Sequence, residues 1–439
     1  MTANRPTVGI YTLGCKVNQY ESEAIAERMS ELGLEICAPT DVCDAYIINT
    51  CTVTAESDRK ARQFIRRAIK KNPQAYIAVT GCLAETGRES LERIEGVDII
   101  IGNAKKLPVA DELLALIKTG RKNDTPKVLM EGIEDAPFEK MSITRFDRTR
   151  AYIKIEDGCE NRCAYCIIPS ARGRIRSKPI EEVLSEVCAL TRGGCREVVL
   201  TGIETASYGK DLYGRPMLGE LLERVDKIEG IGRVRLGSLD PSLIRPEFVE
   251  KIATLKSLTP HFHLSLQSGC SRILALMKRR YNAEQAMRAI ELLKSRIEGV
   301  QLTTDVIVGF PQETDADFKE TYEFLDRAGF LMAHIFTYSK REGTVAARMS
   351  GQVPENIKTE RLHKLEELVE RRRGEILSRI AEEGQTRRVL FETEKDGILY
   401  GHTAEFIEVA VKGDPAMRGE FADVRIISAD KDLCFGELI

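Results

Sequence analysis

Cys159, Cys163 and Cys166 stand at Cys-x3-Cys-x2-Cys spacing in the short polar stretch Asp157-Gly-Cys159-Glu-Asn-Arg-Cys163-Ala-Tyr-Cys166-Ile-Ile-Pro169. Three thiolates this close in sequence bind metal, and what is missing is a fourth ligand. A structural zinc site closes its tetrahedron with a fourth Cys or His. The histidines, His261, His263, His334, His363 and His402, all lie far downstream. A [4Fe-4S] cube held by three Cys keeps one iron open, as a cluster must if it is to bind and reduce a small molecule. The spacing therefore points to an iron–sulfur centre ahead of zinc or a disulfide.

The elements that position these thiols also reveal a second set. Residues 7–13, 45–49 and 75–80 read as buried strands, and a helical pattern follows each. Cys15, Cys51 and Cys82 fall just past the three strand ends. Residues 97–101 and 107–117 add a further strand and helix, so residues 1–119 are expected to form a parallel α/β domain with flavodoxin-like layering. Ligands of such sheets bind beyond the C-terminal ends of the strands. The three Cys are thus either buried thiols or a second metal centre.

Residues 120–149 carry no strong period and read as a linker. Over 150–353 the alternation resumes, with strands expected near 151–155, 196–200, 233–236, 261–266, 301–308 and 331–336. Six such units predict a partial (β/α)6 barrel, whose chemistry belongs at the strand C-termini. The Cys159 loop follows the first strand. Residues 354–383 predict a charged connecting helix, and 384–439 a small all-β barrel with strands at 387–391, 399–403, 406–411 and 421–427.

The 439 residues, 43% hydrophobic and 30% charged, suit a soluble protein of two or three domains. No membrane span or signal-peptide pattern is visible, and a cytoplasmic location is expected. Twelve cysteines in a reducing compartment favour metal or redox chemistry. Cys37, Cys43, Cys188, Cys195, Cys270 and Cys434 lack partners at ligand spacing and read as small buried hydrophobes. The net charge of −3 carries no argument for nucleic acid, but residues 142–178 hold nine Lys or Arg against four Asp or Glu. A solvated basic face and an RNA contact explain that excess equally well.

The stretch from Cys159 through Ile-Ile-Pro-Ser-Ala-Arg-Gly173 resembles the methylthiotransferase branch of the radical S-adenosylmethionine enzymes. Thr12-Leu-Gly-Cys15-Lys-Val-Asn18-Gln and Asn49-Thr-Cys51-Thr-Val-Thr54 are similar to the N-terminal domain of that family, and Gly401-His-Thr-Ala-Glu-Phe406-Ile-Glu-Val409 resembles its TRAM domain. The resemblance implies two [4Fe-4S] clusters, one on Cys159, Cys163 and Cys166 and an auxiliary one on Cys15, Cys51 and Cys82. The first would cleave S-adenosylmethionine reductively to a 5′-deoxyadenosyl radical that removes hydrogen from C2 of an adenine. The second would deliver sulfur methylated by another S-adenosylmethionine. Tyr165, Thr201, Gly202, Glu204, Ser265, Gln267, Arg279 and Asp305 are the implied S-adenosylmethionine contacts.

The motifs look most like the branch that acts on N6-threonylcarbamoyladenosine at position 37 of tRNA. Arg172, Arg174 and Arg176 could then meet the substrate carboxylate or phosphates. Arg387 and Arg388 are RNA candidates on the TRAM-like domain, although its seven Lys or Arg against eleven Asp or Glu argue otherwise. The partners implied are a tRNA anticodon stem-loop, a flavodoxin- or ferredoxin-type one-electron reductant and a sulfur donor. Competing substrates are tRNA isopentenyladenosine and a ribosomal-protein aspartate. Readings of another class are a non-catalytic iron–sulfur RNA-binding or redox-sensing protein, and a zinc protein.

Overall fold

The computed structural model describes residues 5–122, 124–146 and 148–439. The first unit runs β1 (Thr7–Thr12), α1 (Lys16–Glu31), β2 (Glu35–Cys37), β3 (Ala45–Thr50), α2 (Ala55–Lys71), β4 (Tyr76–Gly81), α3 (Cys82–Thr86), α4 (Arg88–Glu92), β5 (Ile99–Ile101), α5 (Pro108–Thr119) and β6 (Lys127–Leu129). Its sheet is parallel throughout, in the order β2-β1-β3-β4-β5-β6. All six residues of β3 are buried, as a parallel strand covered on both faces must be.

The expected linker is not one. Lys127–Leu129 adds the sixth strand, and Met141 and Ile143 enter the core of the next unit. A three-residue strand is too short to show a period in sequence. Cys37 and Cys43 also depart from expectation: their sulfurs are paired as a disulfide. They stand six positions apart, and only the return of the chain after β2 reveals the contact.

The second unit contains β7 (Arg150–Lys154), β8 (Glu156–Asp157), α6 (Ile168–Arg172), β9 (Arg176–Ser177), α7 (Ile180–Arg192) and β10 (Glu197–Thr201). It continues through α8 (Lys210–Tyr213), α9 (Leu218–Val225), β11 (Arg233–Leu236), β12 (Ser238–Leu239), α10 (Pro246–Ile252) and β13 (His261–Gln267). Then come α11 (Ser271–Leu276), α12 (Ala283–Arg296), β14 (Gln301–Val308), α13 (Asp315–Ala328) and β15 (Met332–Thr337). β7, β10 and β11 form one parallel sheet and β12 to β15 another. Only Gly237 separates β11 from β12, so the two make six consecutive parallel staves of a half barrel. β7 and β15 are its free edges, and α1 packs against β7.

A single helix, α14 (Glu355–Glu383), leads to β16 (Thr386–Lys395), β17 (Ile398–His402), β18 (Glu408–Lys412), β19 (Phe421–Asp430) and β20 (Leu433–Leu438). These five strands close a barrel in the order β16-β17-β18-β20-β19. β20 has no counterpart among the expected strands, and Phe406 lies in a loop with φ +71° instead of starting a strand.

This barrel docks under the N-terminal ends of the half barrel. Arg150, Glu197 and Arg233 are the first residues of β7, β10 and β11. Arg233 donates to the carbonyls of His402 (3.0 Å) and Arg388 (2.5 Å), and Arg235 to that of Ala404 (3.1 Å). The Phe406 ring stacks between His261 and His402, with the guanidiniums of Arg150 and Arg235 over it at 5.4 and 4.9 Å.

Candidate functional site

The two thiol sets are brought into one neighbourhood. Cys15 precedes the first residue of α1, Cys51 follows β3, and Cys82 opens α3 after β4, so all three sit at one edge of the first sheet. Gly14 and Gly81 make this possible. At φ +97° and +98° they occupy a region that favours glycine, and an added Cβ would lie 2.7 Å from that of Cys51 or collide with the Thr50 carbonyl. Cys159, Cys163 and Cys166 occupy the loop between β8 and α6. Gly158, at φ +83°, turns the chain into this loop against the Arg174 carbonyl, where no side chain fits. Cys82 and Cys166 are near enough for the charge of one to act on the other.

Arg172 joins the sets. It is fully buried, and its Nε donates to the Cys82 sulfur at 3.4 Å. One guanidinium nitrogen donates to Glu21 (2.6 Å) and to Asp157 (3.1 Å), the other to Asn18 and Glu21. Lys154 reaches Glu21 at 2.9 Å, and Lys106 pairs with the same carboxylate. Burial raises the Glu21 pKa, but Arg172, Lys106 and Lys154 outweigh it and hold the carboxyl well below its usual range. Asn18 donates to the carbonyls of Leu13 and Thr50, which flank Cys15 and Cys51.

Arg279 plays the matching part on the barrel side. It donates to the Cys163 sulfur at 3.3 Å, pairs with Asp240 at 2.7 Å, and reaches the Ser265 carbonyl at 3.1 Å. Tyr281 donates to the same carbonyl at 2.6 Å. Tyr165 packs, partly buried, against the small apolar cluster that contains Ala164, Met277, Phe310 and Tyr338. Thr201 is buried at the end of β10, and Gly202 lies against Glu156, whose carboxylate accepts the Glu204 N–H at 2.7 Å. Glu156 is fully buried with Oε1 unpartnered, and burial raises its pKa well above the usual value. The Glu204 side chain accepts from Asn161. Gln267 ends β13 at φ +70°, where the register with β14 shifts. Asp305 lies inside the half barrel, 3.2 Å from His263.

The arginine series after the thiol loop does not lie along one surface. Arg172 is consumed by the buried network. Arg176 is also buried, pairing with Asp157 and donating to the Ile133 carbonyl. Arg174 alone is exposed. The helical turn of α6 and Gly173 at φ +68° break the extended conformation on which the expectation rested. Arg387 pairs with Glu405, and Arg388 covers Phe421 beneath the half barrel, at the end opposite the thiol loop.

Glu21, Asp157, Lys106, Lys154, Glu156 and Asn161 are site residues that motif reading passes over. Glu21 had a signal. α1 carries Asn18, Glu21 and Ser22 on its buried face, where a helix packed on a sheet has apolar residues.

The donor set suits an anionic iron–sulfur group. All six thiols are unpaired, and each set has one buried guanidinium aimed at a sulfur. Burial pushes Cys51 up to about 11 and Cys166 to about 12, and raises Cys15 and Cys159, so a metal must displace protons to bind here. Among the described residues no three His, Cys, Asp or Glu side chains are drawn together as for a single ion.

Comparison with known proteins gives the same outline. Residues 153–325 match the radical SAM superfamily model, and residues 7–102 match that of the uncharacterized protein family UPF0004. The chain is 40% identical over 433 residues to the threonylcarbamoyladenosine tRNA methylthiotransferase MtaB of Bacillus subtilis, spanning 96% of this chain and 94% of that one. To MtaB of Thermotoga maritima it is 38% identical, covering 97% and 95%. The tRNA-2-methylthio-N(6)-dimethylallyladenosine synthase of Aquifex aeolicus is 36% identical, with 98% of each chain covered. Among solved structures, the radical S-adenosylmethionine methyltransferase TsrM of Kitasatospora setae, with cobalamin and a [4Fe-4S] cluster bound, superposes with a TM-score of 0.57 at 16% identity, over 78% of this chain and 77% of that one.

Proposed function

This chain belongs to the radical SAM tRNA methylthiotransferases, and from that premise we propose that it converts N6-threonylcarbamoyladenosine at position 37 of tRNA to the 2-methylthio derivative. The observation that carries the reading is the meeting of two unpaired thiol triads across Arg172, because sulfur insertion needs a radical generator and a sulfur carrier within reach of one substrate. Cys159, Cys163 and Cys166 would hold one [4Fe-4S] cluster, and Cys15, Cys51 and Cys82 the other. When bound, the clusters and S-adenosylmethionine supply an electron, a hydrogen-abstracting radical, a sulfur and a methyl group.

The chain's own residues order and shield that chemistry. Arg279, fixed by Asp240 and Tyr281, places positive charge beside the Cys163 sulfur. Asn161 holds Glu204 at the rim of a cleft of about 650 Å³ shared with Asp240, where a cationic cofactor group would find a carboxylate. Arg172 sets positive charge against Cys82 and fixes the distance between the two loops. Base chemistry at C2 requires the adenosine to leave its loop stack, as single-stranded loop bases do. A flavodoxin- or ferredoxin-type reductant and a sulfur donor complete the reaction.

The test is anaerobic reconstitution with iron and sulfide, then reduction and incubation with S-adenosylmethionine and threonylcarbamoyladenosine-bearing tRNA, read by nucleoside mass spectrometry. The expected result is a 2-methylthio nucleoside with 5′-deoxyadenosine formed in parallel, from protein carrying about eight irons. Cys163→Ala abolishes both products. Deoxyadenosine without modified nucleoside would redirect the assignment to isopentenyladenosine tRNA or the ribosomal protein. Neither product from fully loaded protein would favour an iron–sulfur sensor.

A further inference from the structure

We infer that helix α2 is the surface along which the RNA stem of the substrate lies, held through its phosphates. The inference rests on the tRNA reading and adds a location that the arginines after the thiol loop cannot supply, since Arg172 and Arg176 are buried.

Helix α2 carries seven Lys or Arg against two acidic residues, Glu56 and Asp58, both in its first turn. Ala61, Ile65 and Ala68 fix the inner face. At 100° per residue Arg59, Arg62, Arg66 and Lys70 then form one outward row, about 16 Å long. Lys60, Arg67 and Lys71 form a second row beside it. Glu56 engages Arg59 and Lys60, and Asp58 engages Arg341. Among the described residues no carboxylate lies within ion-pair distance of Arg62, Arg66 or Lys70. The flanking helix α4 adds Arg88 and Arg93, answered at its own surface by Glu92 and Glu89. Three neighbouring cations without a carboxylate partner repel one another, and a polyanion relieves that repulsion.

The position of α2 selects the polyanion. The helix starts four residues after Cys51. Its first turn is tied to the C-terminal rim of β15: the Ala55 N–H meets the Ser339 hydroxyl at 3.3 Å, and Arg341 reaches Asp58 at 2.8 Å and Thr52 at 2.7 Å. The basic rows therefore begin at the mouth of the thiol site and lead away from it. A base extruded into that mouth leaves its stem outside, and α2 is the cationic element that starts there. The C-terminal barrel, net acidic and docked under the opposite end, offers no equivalent.

The experiment compares full-length, iron-loaded protein with the triple variant Arg62→Gln/Arg66→Gln/Lys70→Gln in binding a tRNA anticodon stem-loop transcript across salt concentrations. Each phosphate contact contributes about 0.9 to the slope of log K against log salt, so the triple variant is expected to lose about 2 to 3 in slope, with at least a tenfold weaker Kd at low salt. Methylthiolation then suffers in KM more than in kcat, and Arg62→Lys/Arg66→Lys restores binding. Iron content and melting temperature equal to wild type certify the fold of the variants. An unchanged slope and Kd would overturn the α2 assignment while leaving the methylthiotransferase reading intact. Salt-insensitive or absent RNA binding by the unmodified protein would overturn both.

Discussion

Arg172 is a cation with no route to water, and its neighbours define what it does. Two carboxylates hold it, and its remaining N–H points at a sulfur. Arg172→Met should destabilise the metal-free protein by about 3 kcal/mol, the order seen when one member of a buried ion network is removed, read from the denaturation midpoint. In loaded protein, loss of the N–H donor and of the charge should move the potential of the proposed auxiliary cluster to more negative values, measured by EPR-monitored titration. A shift confined to the other cluster would contradict this placement. Gly158→Ala is the complementary case. Its methyl would be driven into the Arg174 carbonyl, so the Cys159 loop cannot close, and iron content should fall from about eight toward about four. At this scale the sequence offered the proposed ligands and concealed their setting. Cys spacing is local and visible, whereas Glu21, Lys106, Lys154 and Arg172 meet only after four distant segments have packed. Arg172 in particular looked like a surface residue, because nothing local announces that a guanidinium has become the core of an interface.

Between elements, the docking of the C-terminal barrel under the half barrel depends on three arginines around Glu197. Burial raises the Glu197 pKa, but Arg235, Arg150 and Arg233 outweigh it and the carboxyl is held below its ordinary value. A folded-state pKa below the unfolded one gives stability that is complete above the unfolded value, about 4.3, and is lost as pH falls toward the folded one. Thermal melts should therefore drop below about pH 4, and Glu197→Gln should be less stable at neutral pH and show less of this acid dependence. Phe406→Ala removes the ring stacked between His261 and His402 and should cost about 2 kcal/mol, read as a lower melting temperature and earlier proteolysis between α14 and β16. The elements themselves were legible in the sequence, since long buried strands and the charged helix carry strong periods. β2, β6, β8, β9 and β12 were missed because two or three residues show no period, and β20 because its turn at residues 431–432 has no glycine or proline to mark it.

At the scale of the whole molecule, the first and third units pack on two sides of the half barrel. The half barrel leaves the outer edges of β7 and β15 unpaired, the first unit spans the gap from α1 against β7 to α2 against the residues after β15, and the third unit closes the floor. Sequence carried no sign that the first unit seals the side of the second, because that relation rests on contacts such as Tyr20 with Glu186 and Arg172 with Glu21. The seal has a consequence for biosynthesis. Bare edges of a parallel sheet invite pairing with other chains, and long-range parallel pairing is slow to form. The unit that will cover the gap is N-terminal and leaves the ribosome first, so it can be folded before β7 emerges. Synthesis in this order hands the first barrel strand to a finished surface, and the same barrel produced without residues 1–129 should emerge with both edges open and aggregate.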